Sequence, residues 1–350
     1  MTDGPARAPR VTWYGDDFTG ATDTLAHVAL AGWRSLLFLG VPSPRQLQRA
    51  GPLDAVGIAG AARGMAPAEM VAELRAAGRF LAATGTRVLH YKCCSTFDSA
   101  PQVGSIGVAV GELRRHMLNP LVPIVGGQPG IGRYCSFANL FARAGAAPEV
   151  HRIDRHPVMR AHPVTPMHEA DLRRHLAQQG LAHIASVPHT AYPPLRGPAD
   201  LREADRWLDD LVDAACGPML LDLVDDDQLP LIGRLLWRAA AVLPLLVVGP
   251  SSVQQALTRA AGLGPATPAP TLAPAEGPVL LVAGSLSPVT ARQIAACQRY
   301  ARQPLQVERL LADPAYAQRC IADAAGALAQ GRHVLVHTDA PGPALAPGPA

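Results

Sequence analysis

At 350 residues, with 49% apolar and 17% charged side chains, the chain is too long for one small core and reads as a globular protein of about two domains. A formal charge of +3, with no basic run and no interleaved aromatic platform, argues against nucleic acid as a partner. MTDGPARAPR at the N-terminus lacks the apolar core of a signal peptide, no apolar run approaches the ~20 residues that span a bilayer, and the six cysteines (93, 94, 135, 216, 297 and 320) form no CxxC pair, so a cytoplasmic protein with reduced thiols and no membrane partner is expected.

Short apolar runs alternate with segments of helical spacing, which predicts an α/β fold with a mostly parallel sheet. Strands are expected at 11–15, 35–40, 55–60, 87–93, 121–126, 218–224 and 244–249, and helices at 20–31, 67–83, 103–117, 168–179, 199–214 and 228–241. The first strand, VTWYG, runs into Asp16-Asp17 and then a helix opened by Thr19-Gly20-Ala21. The carboxyl end of a strand followed by a helix N-terminus is where open α/β sheets bind ligands, and Gly20 would let one approach the backbone. Two readings stand: the acids accept a hydroxyl proton or hold sugar hydroxyls, or Asp17 or Thr19 caps the helix. A cap needs one acid and the turn has two, which favours chemistry. In the aspartyl-phosphate phosphatases the two acids sit two residues apart, whereas these are adjacent, and strand alternation predicts that they point to opposite sides.

The strand RVLHYKC carries Lys92, the single lysine among 31 basic residues. Lysine is a compact point charge on a flexible stem and arginine a planar fork, so a tight pocket can demand one and reject the other. Ser95, Thr96 and Asp98 follow, then SAPQVGSIG. If the strands are parallel, Lys92 shares a rim with the Asp16-Asp17 turn. A cation beside carboxylates and hydroxyls suits an anionic polyol, with Lys92 meeting the acid group and the aspartates the hydroxyls. Cys93 and Cys94 point to opposite faces if the strand runs that far.

VGGQPGIGRYCSFANLFA, residues 125–142, fits neither dinucleotide nor P-loop spacing and reads as a structural loop, which also argues against a dehydrogenase. HRIDRHPVMRAHPVTPMHEADLRRH, 151–175, is rich in histidine but has no HExxH, and Pro157, Pro163 and Pro166 keep its first half extended. No metal site is expected there. Arg155, His156 and His162 are read as a lid or wall over an anionic substrate, and His168, His175 and Asp171 as one solvated helix face.

VVGPSSVQQAL, 247–257, closes a first domain at 1–260, and proline-rich residues 261–278 read as a linker. A second domain at 279–350 opens with a strand ending in Gly284-Ser285-Leu286-Ser287 before Pro288. Amides and serine hydroxyls at a helix start can cradle a phosphate, or a serine simply caps the helix. Two strands and two helices are expected here, below what a parallel sheet needs to bury both faces, so this domain reads as truncated or completed by a partner.

In order along residues 11 to about 338, YGDDFTGATD, YKCCSTFDS followed by GSIG, RIDRHPVMRAHPVTPMHEADL and AGSLSPVTARQ resemble the four-carbon acid sugar kinase family. The resemblance implies an N-terminal α/β domain that binds a small sugar acid such as a 3-oxo-tetronate, and a C-terminal α/β domain that binds ATP. Transfer would occur between them, with Mg2+ carried on the nucleotide. It places Asp16 and Asp17 in an acidic sugar-binding turn, with Asp17 as the catalytic group that orients or deprotonates the attacking hydroxyl. Lys92, Ser95, Thr96 and Asp98 fall in a second substrate motif, with Lys92 on the carboxylate, and Gly284, Ser285 and Ser287 in the first ATP-contacting turn. Family chains continue past the VLVHT strand into a GGDTSG-type loop, and their VGSSG-like turn reads VGPSS here. The expectation is an ATP-dependent kinase with an intact acceptor domain and an incomplete nucleotide domain. Its competitor is a non-catalytic sugar-acid-binding fragment, and a homo-oligomer stays open.

Overall fold

The structure, a computed structural model, describes residues 8–145, 148–214, 216–263, 271, 273–274 and 276–338. Residues 264–270, 272 and 275 of the expected linker, and the terminal DAPGPALAPGPA, lie outside the described residues. Two compact units emerge, Met1–Ala269 and Pro270–Ala350.

The strands of the first unit are β1 (Val11–Gly15), β2 (Ser35–Phe38), β3 (Ala55–Ala59), β4 (Val88–Lys92), β5 (Leu121–Gly126), β6 (Arg133–Ser136), β7 (Asn139–Arg143), β8 (Val150–Arg152), β9 (Ala185–Val187), β10 (Gly217–Asp222) and β11 (Leu245–Gly249). Eight of them form one parallel sheet in the order β2-β3-β1-β4-β11-β5-β10-β9. Every residue of β1, β3, β4, β5 and β11 is buried, which is why these strands read as unbroken apolar runs. The helices are α1 (Phe18–Leu30), α2 (Pro44–Ala50), α3 (Pro67–Ala83), α4 (Ile106–Leu113), α5 (Leu172–Ala177), α6 (Pro198–Ala214), α7 (Leu229–Val242) and α8 (Ser252–Ala260). Leu74, Leu113 and Leu176 from α3, α4 and α5 enter one core cluster. Val28, Leu208, Leu235 and Leu257 from α1, α6, α7 and α8 enter another. Each such leucine contributes about 1.5–3 kcal/mol by leaving water.

Parallel strands bring their carboxyl ends to one rim, and the register does the rest: Gly15 pairs with Lys92, and Lys92 with Gly249. Local chemistry trims the expected elements. Helix α4 starts at Ile106 rather than 103, because Gly104 takes a left-handed φ of 61° and Ser105 caps the helix by accepting from Val108 N. Gly104 also has to be glycine for space, since a Cβ there would stand 2.5 Å from the Arg63 carbonyl oxygen. Asp171 caps α5 and shortens it at its start. Strand β4 ends at Lys92, so Cys93 and Cys94 do not alternate across a strand, and Cys93 N bonds Gly249 O instead.

The stretch read as a structural loop is an antiparallel sheet, β6-β7-β8. Its hairpin turn holds Phe137 and Ala138 at φ of 49° and 66°, a conformation usually left to glycine or asparagine. The buried Asp222 carboxylate at the end of β10 pins them, accepting from Phe137 N (2.6 Å) and Ala138 N (3.0 Å).

The second unit contains β12 (Leu280–Ala283), α9 (Pro288–Ala296), β13 (Ala301–Leu305), α10 (Val307–Ala312), α11 (Pro314–Ala329) and β14 (Val334–Thr338), with a parallel sheet β12-β14-β13. This is one strand and one helix more than expected. β13, ARQPL, is polar and carries a proline, so it gives no apolar signal, yet it is an edge strand where proline is tolerated. Ala324 and Ala327 of α11 pack on Val334, while Leu280, Leu281 and Val282 of β12 stay exposed.

Candidate functional site

Strand β1 stops at Gly15, so alternation does not govern the two aspartates that follow, and both turn to the same cation. Arg63, on the turn Ala62–Gly64 after β3, places Nη2 2.8 Å from Asp16 Oδ1 and 3.0 Å from Asp17 Oδ1. Its Nε lies 3.4 Å from Asp16 Oδ2 and 3.9 Å from Asp98 Oδ2. Main-chain bonds fix the arrangement: Asp16 N donates to Lys92 O (3.0 Å) and Arg63 N to Asp16 O (3.1 Å). Asp16 is only 2% exposed. Burial raises its pKa above the usual carboxylate value, against the opposing pull of Arg63 and Lys92. Burial works against the charge of Arg63 too, but its carboxylates, Asp16 foremost, outweigh it and hold the guanidinium more firmly protonated than usual.

Lys92 is 3% exposed and its Nζ donates to Cys93 O at 2.7 Å. It and Asp17 meet over Gly20: a Cβ added there would overlap both Lys92 Nζ and Asp17 Oδ1. A side chain at this position would have to push both groups aside. Capping and chemistry turn out not to exclude one another at Asp17. Its Oδ1 accepts from Gly20 N (3.0 Å) and caps α1, and Oδ2 carries no hydrogen bond among the described residues.

The segment after β4 closes the same rim. Thr96 Oγ1 donates to Asp98 Oδ1 and stands 3.0 Å from Cys94 Sγ. Ser95, Thr96 and Asp98 are all buried. Phe97, also buried, has a φ of 53°, a strained conformation that surrounding contacts must impose. Its carbonyl accepts from Ser99 Oγ (2.9 Å) and lies 3.1 Å from His175 Nε2. The six acceptor-site residues named from sequence therefore lie along one rim, Asp16, Asp17 and Asp98 on Arg63 and Lys92 beside Asp17. Arg63 is the residue that sequence reasoning missed; its signal was its place just past the end of β3, on the rim that β1 and β4 share.

The histidine-rich segment is corrected. His156 is buried, with Nδ1 accepting from Val158 N and Met159 N and Nε2 near Arg143 O, so it fastens its own turn rather than walling a pocket. His162 Nδ1 likewise accepts from Thr165 N, while Arg155 is exposed. His168 precedes α5 and His175 is buried on Ser99, so they do not share a solvated face. Among the described residues no group of three or more His, Cys, Asp or Glu could hold a metal ion.

In the second unit, Gly284, Ser285 and Ser287 form the exposed turn between β12 and α9. Ser287 caps α9 by accepting from Thr290 N (3.1 Å), Ser285 Oγ accepts from Ser287 N (3.2 Å), and Thr338 Oγ1 donates to Gly284 O (3.2 Å). The serines thus order the start of α9 by accepting from its own amides.

A model of the sugar-binding N-terminal domain matches residues 11–257, and one of the nucleotide-binding C-terminal domain matches residues 280–346. The chain is 40% identical to the 3-oxo-isoapionate kinase of Paraburkholderia graminis over 340 residues, covering 94% of this chain and 69% of that protein. It is 32% identical to the 3-oxo-tetronate kinase of Methylobacterium radiotolerans over 340 residues, covering 93% and 73%. Among solved structures, a protein of Salmonella typhimurium LT2 superimposes with a TM-score of 0.71 at 25% identity, covering 95% of this chain and 75% of that one.

Proposed function

The chain belongs to the four-carbon acid sugar kinase family, and from that premise we propose that it is an ATP-dependent kinase transferring the γ-phosphoryl group to a hydroxyl of a small sugar acid, a 3-oxo-tetronate or a branched relative. The observation that carries this reading is the meeting of Asp17 and Lys92 over Gly20 on a rim otherwise closed by Arg63, Asp16 and Asp98. An acceptor hydroxyl set against Asp17 Oδ2 would give up its proton to that carboxylate. Its oxygen would form the new bond to the γ-phosphorus as the bond to the β-phosphate oxygen breaks and ADP leaves. Lys92 would stand beside the reacting oxygens as a fixed positive charge, and Ser95, Thr96 and Asp98 would hold further hydroxyls. Gly284, Ser285 and Ser287 would contact the nucleotide, and Mg2+ bound to its phosphates would supply charge neutralisation. There is little covalent chemistry for the protein to do, so positioning and electrostatics would carry most of the acceleration.

The test is a coupled assay of ADP release over four-carbon and branched sugar acids, run beside Asp17→Asn. Asparagine caps a helix as well as aspartate, and Arg63 keeps Asp16 and Asp98 as partners, so the variant should fold while the rate falls about 10²–10⁴-fold. ADP release with none of these acids rejects the kinase reading; an undiminished rate in Asp17→Asn rejects Asp17 as the base.

A further inference from the structure

One histidine of the histidine-rich segment reaches the acceptor rim from below its surface. His175, on α5, is buried with its Nε2 3.1 Å from Phe97 O and 2.9 Å from Ser99 Oγ. Phe97 is the residue whose φ of 53° puts the turn after β4 in the left-handed region, which a bulky side chain keeps only where surrounding bonds impose it. Thr96 and Asp98 flank it directly, so the placing of both side chains depends on that strained residue.

A carbonyl oxygen only accepts. Phe97 O already takes the Ser99 hydroxyl at 2.9 Å, and for its contact with the imidazole we assign the ring hydrogen to Nε2. Burial lowers the pKa of His175, so the ring is neutral and carries that single hydrogen. Gln179, just past the end of α5, has its amide oriented by Ile106 N, which donates to Oε1 at 2.8 Å, and its Nε2 donates to Ser99 Oγ at 2.8 Å. A chain of bonds therefore runs from the first residue of α4 through Gln179 and Ser99 to Phe97 O, with His175 as the second donor at its end. Its base has no room to shift, since a Cβ at Gly107 of α4 would overlap Gln179 O. On the other side Gly104 N donates to Met65 O at 3.0 Å, and Asp98 Oδ2 lies 3.9 Å from Arg63 Nε. The segment that carries Thr96 and Asp98 is thus fastened between α4 and α5 and the turn that bears Arg63.

Resting on the sugar-acid reading above, we propose that His175 is a positioning residue of the acceptor site: its Nε2–H holds the Phe97 carbonyl, and that hold keeps Asp98 against Arg63 and Thr96 against Asp98. The ring itself touches no substrate. Without its donor the carbonyl keeps Ser99 alone, and the strained residue is free to relax toward an ordinary φ, turning Asp98 away from Arg63. The acceptor then loses Asp98 as a partner for its hydroxyls, and Arg63 loses one of the three carboxylates that orient it.

The experiment is calorimetric titration of the full chain with threonate and erythronate, beside tryptophan-monitored unfolding of the same samples. It compares the unaltered protein with His175→Leu, His175→Gln, Asp98→Asn and the double variant of His175→Leu with Asp98→Asn. His175→Leu should lose acid affinity about tenfold, and His175→Gln, whose amide can bring an N–H to the place of Nε2, should recover it to within about threefold. A residue that only supported the fold would lower the unfolding midpoint and leave the acid affinity of the folded protein unchanged. Because His175 acts through Asp98, the loss in the double variant should fall short of the product of the two single losses. If His175→Leu does not fold, Ser99→Ala decides the matter: it removes the other donor to the same carbonyl and should weaken acid binding about three- to tenfold. Unchanged acid affinity in the folded variant, no recovery in His175→Gln, or losses that multiply in full would overturn the inference while the sugar-acid reading stands. An unaltered chain that binds neither acid overturns both.

Discussion

Replacing Arg63 by glutamine tests the electrostatics of the acceptor rim most directly. Asp16 is 2% exposed and receives both of its side-chain bonds from this guanidinium, at 2.8 and 3.4 Å. Removing the partner leaves a buried carboxylate without its counterion, which costs about 3–5 kcal/mol where one side of a buried pair is deleted. That is a large part of the roughly 5–15 kcal/mol that holds a typical domain together. Restoring neutrality with Asp16→Asn in the same chain should recover much of the loss, giving a coupling energy of about 2 kcal/mol in the double-mutant cycle. All four tryptophans, at 13, 33, 207 and 237, belong to the first unit, so denaturant titrations followed by tryptophan fluorescence report that unit alone. The pH dependence adds a sign. Burial already raises the pKa of Asp16, and losing Arg63 raises it further. Folding then favours the protonated acid, so the deficit against the unaltered protein is full above that pKa and shrinks as the pH falls through it. A loss below about 1 kcal/mol, strict additivity with Asp16→Asn, or a deficit that grows on acidification would each refute the reasoning.

Lys92→Arg keeps the charge but forces a planar fork into the space over Gly20, so acceptor affinity should fall about tenfold; equal affinity in calorimetric titrations with threonate and erythronate would make the lysine incidental. His90 is fully buried with Nε2 2.9 Å from Gly249 O, and burial pushes its pKa down to about 3. A depressed pKa stabilises the fold above the unfolded value near 6.5 and loses that contribution as pH falls toward 3, about 2 kcal/mol by pH 5. His90→Gln should therefore flatten the fluorescence-monitored stability profile between pH 6.5 and 5, and an unchanged slope there would assign the acid sensitivity to other groups.

Much of this architecture was legible because parallel strands bury both faces. VTWYG, AVGIA and LVPIVG announce themselves as apolar runs, and the bounds of β1, β5 and α3 fall where the sequence puts them. What escaped was held by distant partners. The hairpin between β6 and β7 turns on Phe137-Ala138, which carry no turn signature, because Asp222, 84 and 85 residues away, supplies the acceptors that make the turn. His156 resembles a wall residue in sequence and is a local fastener in space. Lys92 was conspicuous as the single lysine, whereas Arg63 was one arginine among thirty, and only the return of β3 to the side of β1 reveals what it bridges.

The same comparison explains why the site needs both kinds of cation. Where three carboxylates beyond the ends of two strands must be joined, a flat fork with several donors can reach Asp16, Asp17 and Asp98 at once, and Arg63 does so from the turn after β3. In the narrow space over Gly20 a fork has no room, and a single ammonium on a slender stem can lie against the helix start with its charge beside Asp17. Neither side chain could do the other's work: a lysine at 63 would leave part of the acidic cluster unbridged, and an arginine at 92 would need Gly20 or Asp17 to move. The solitary lysine is thus a matter of volume before charge, set by a helix that begins one residue after its own capping acid.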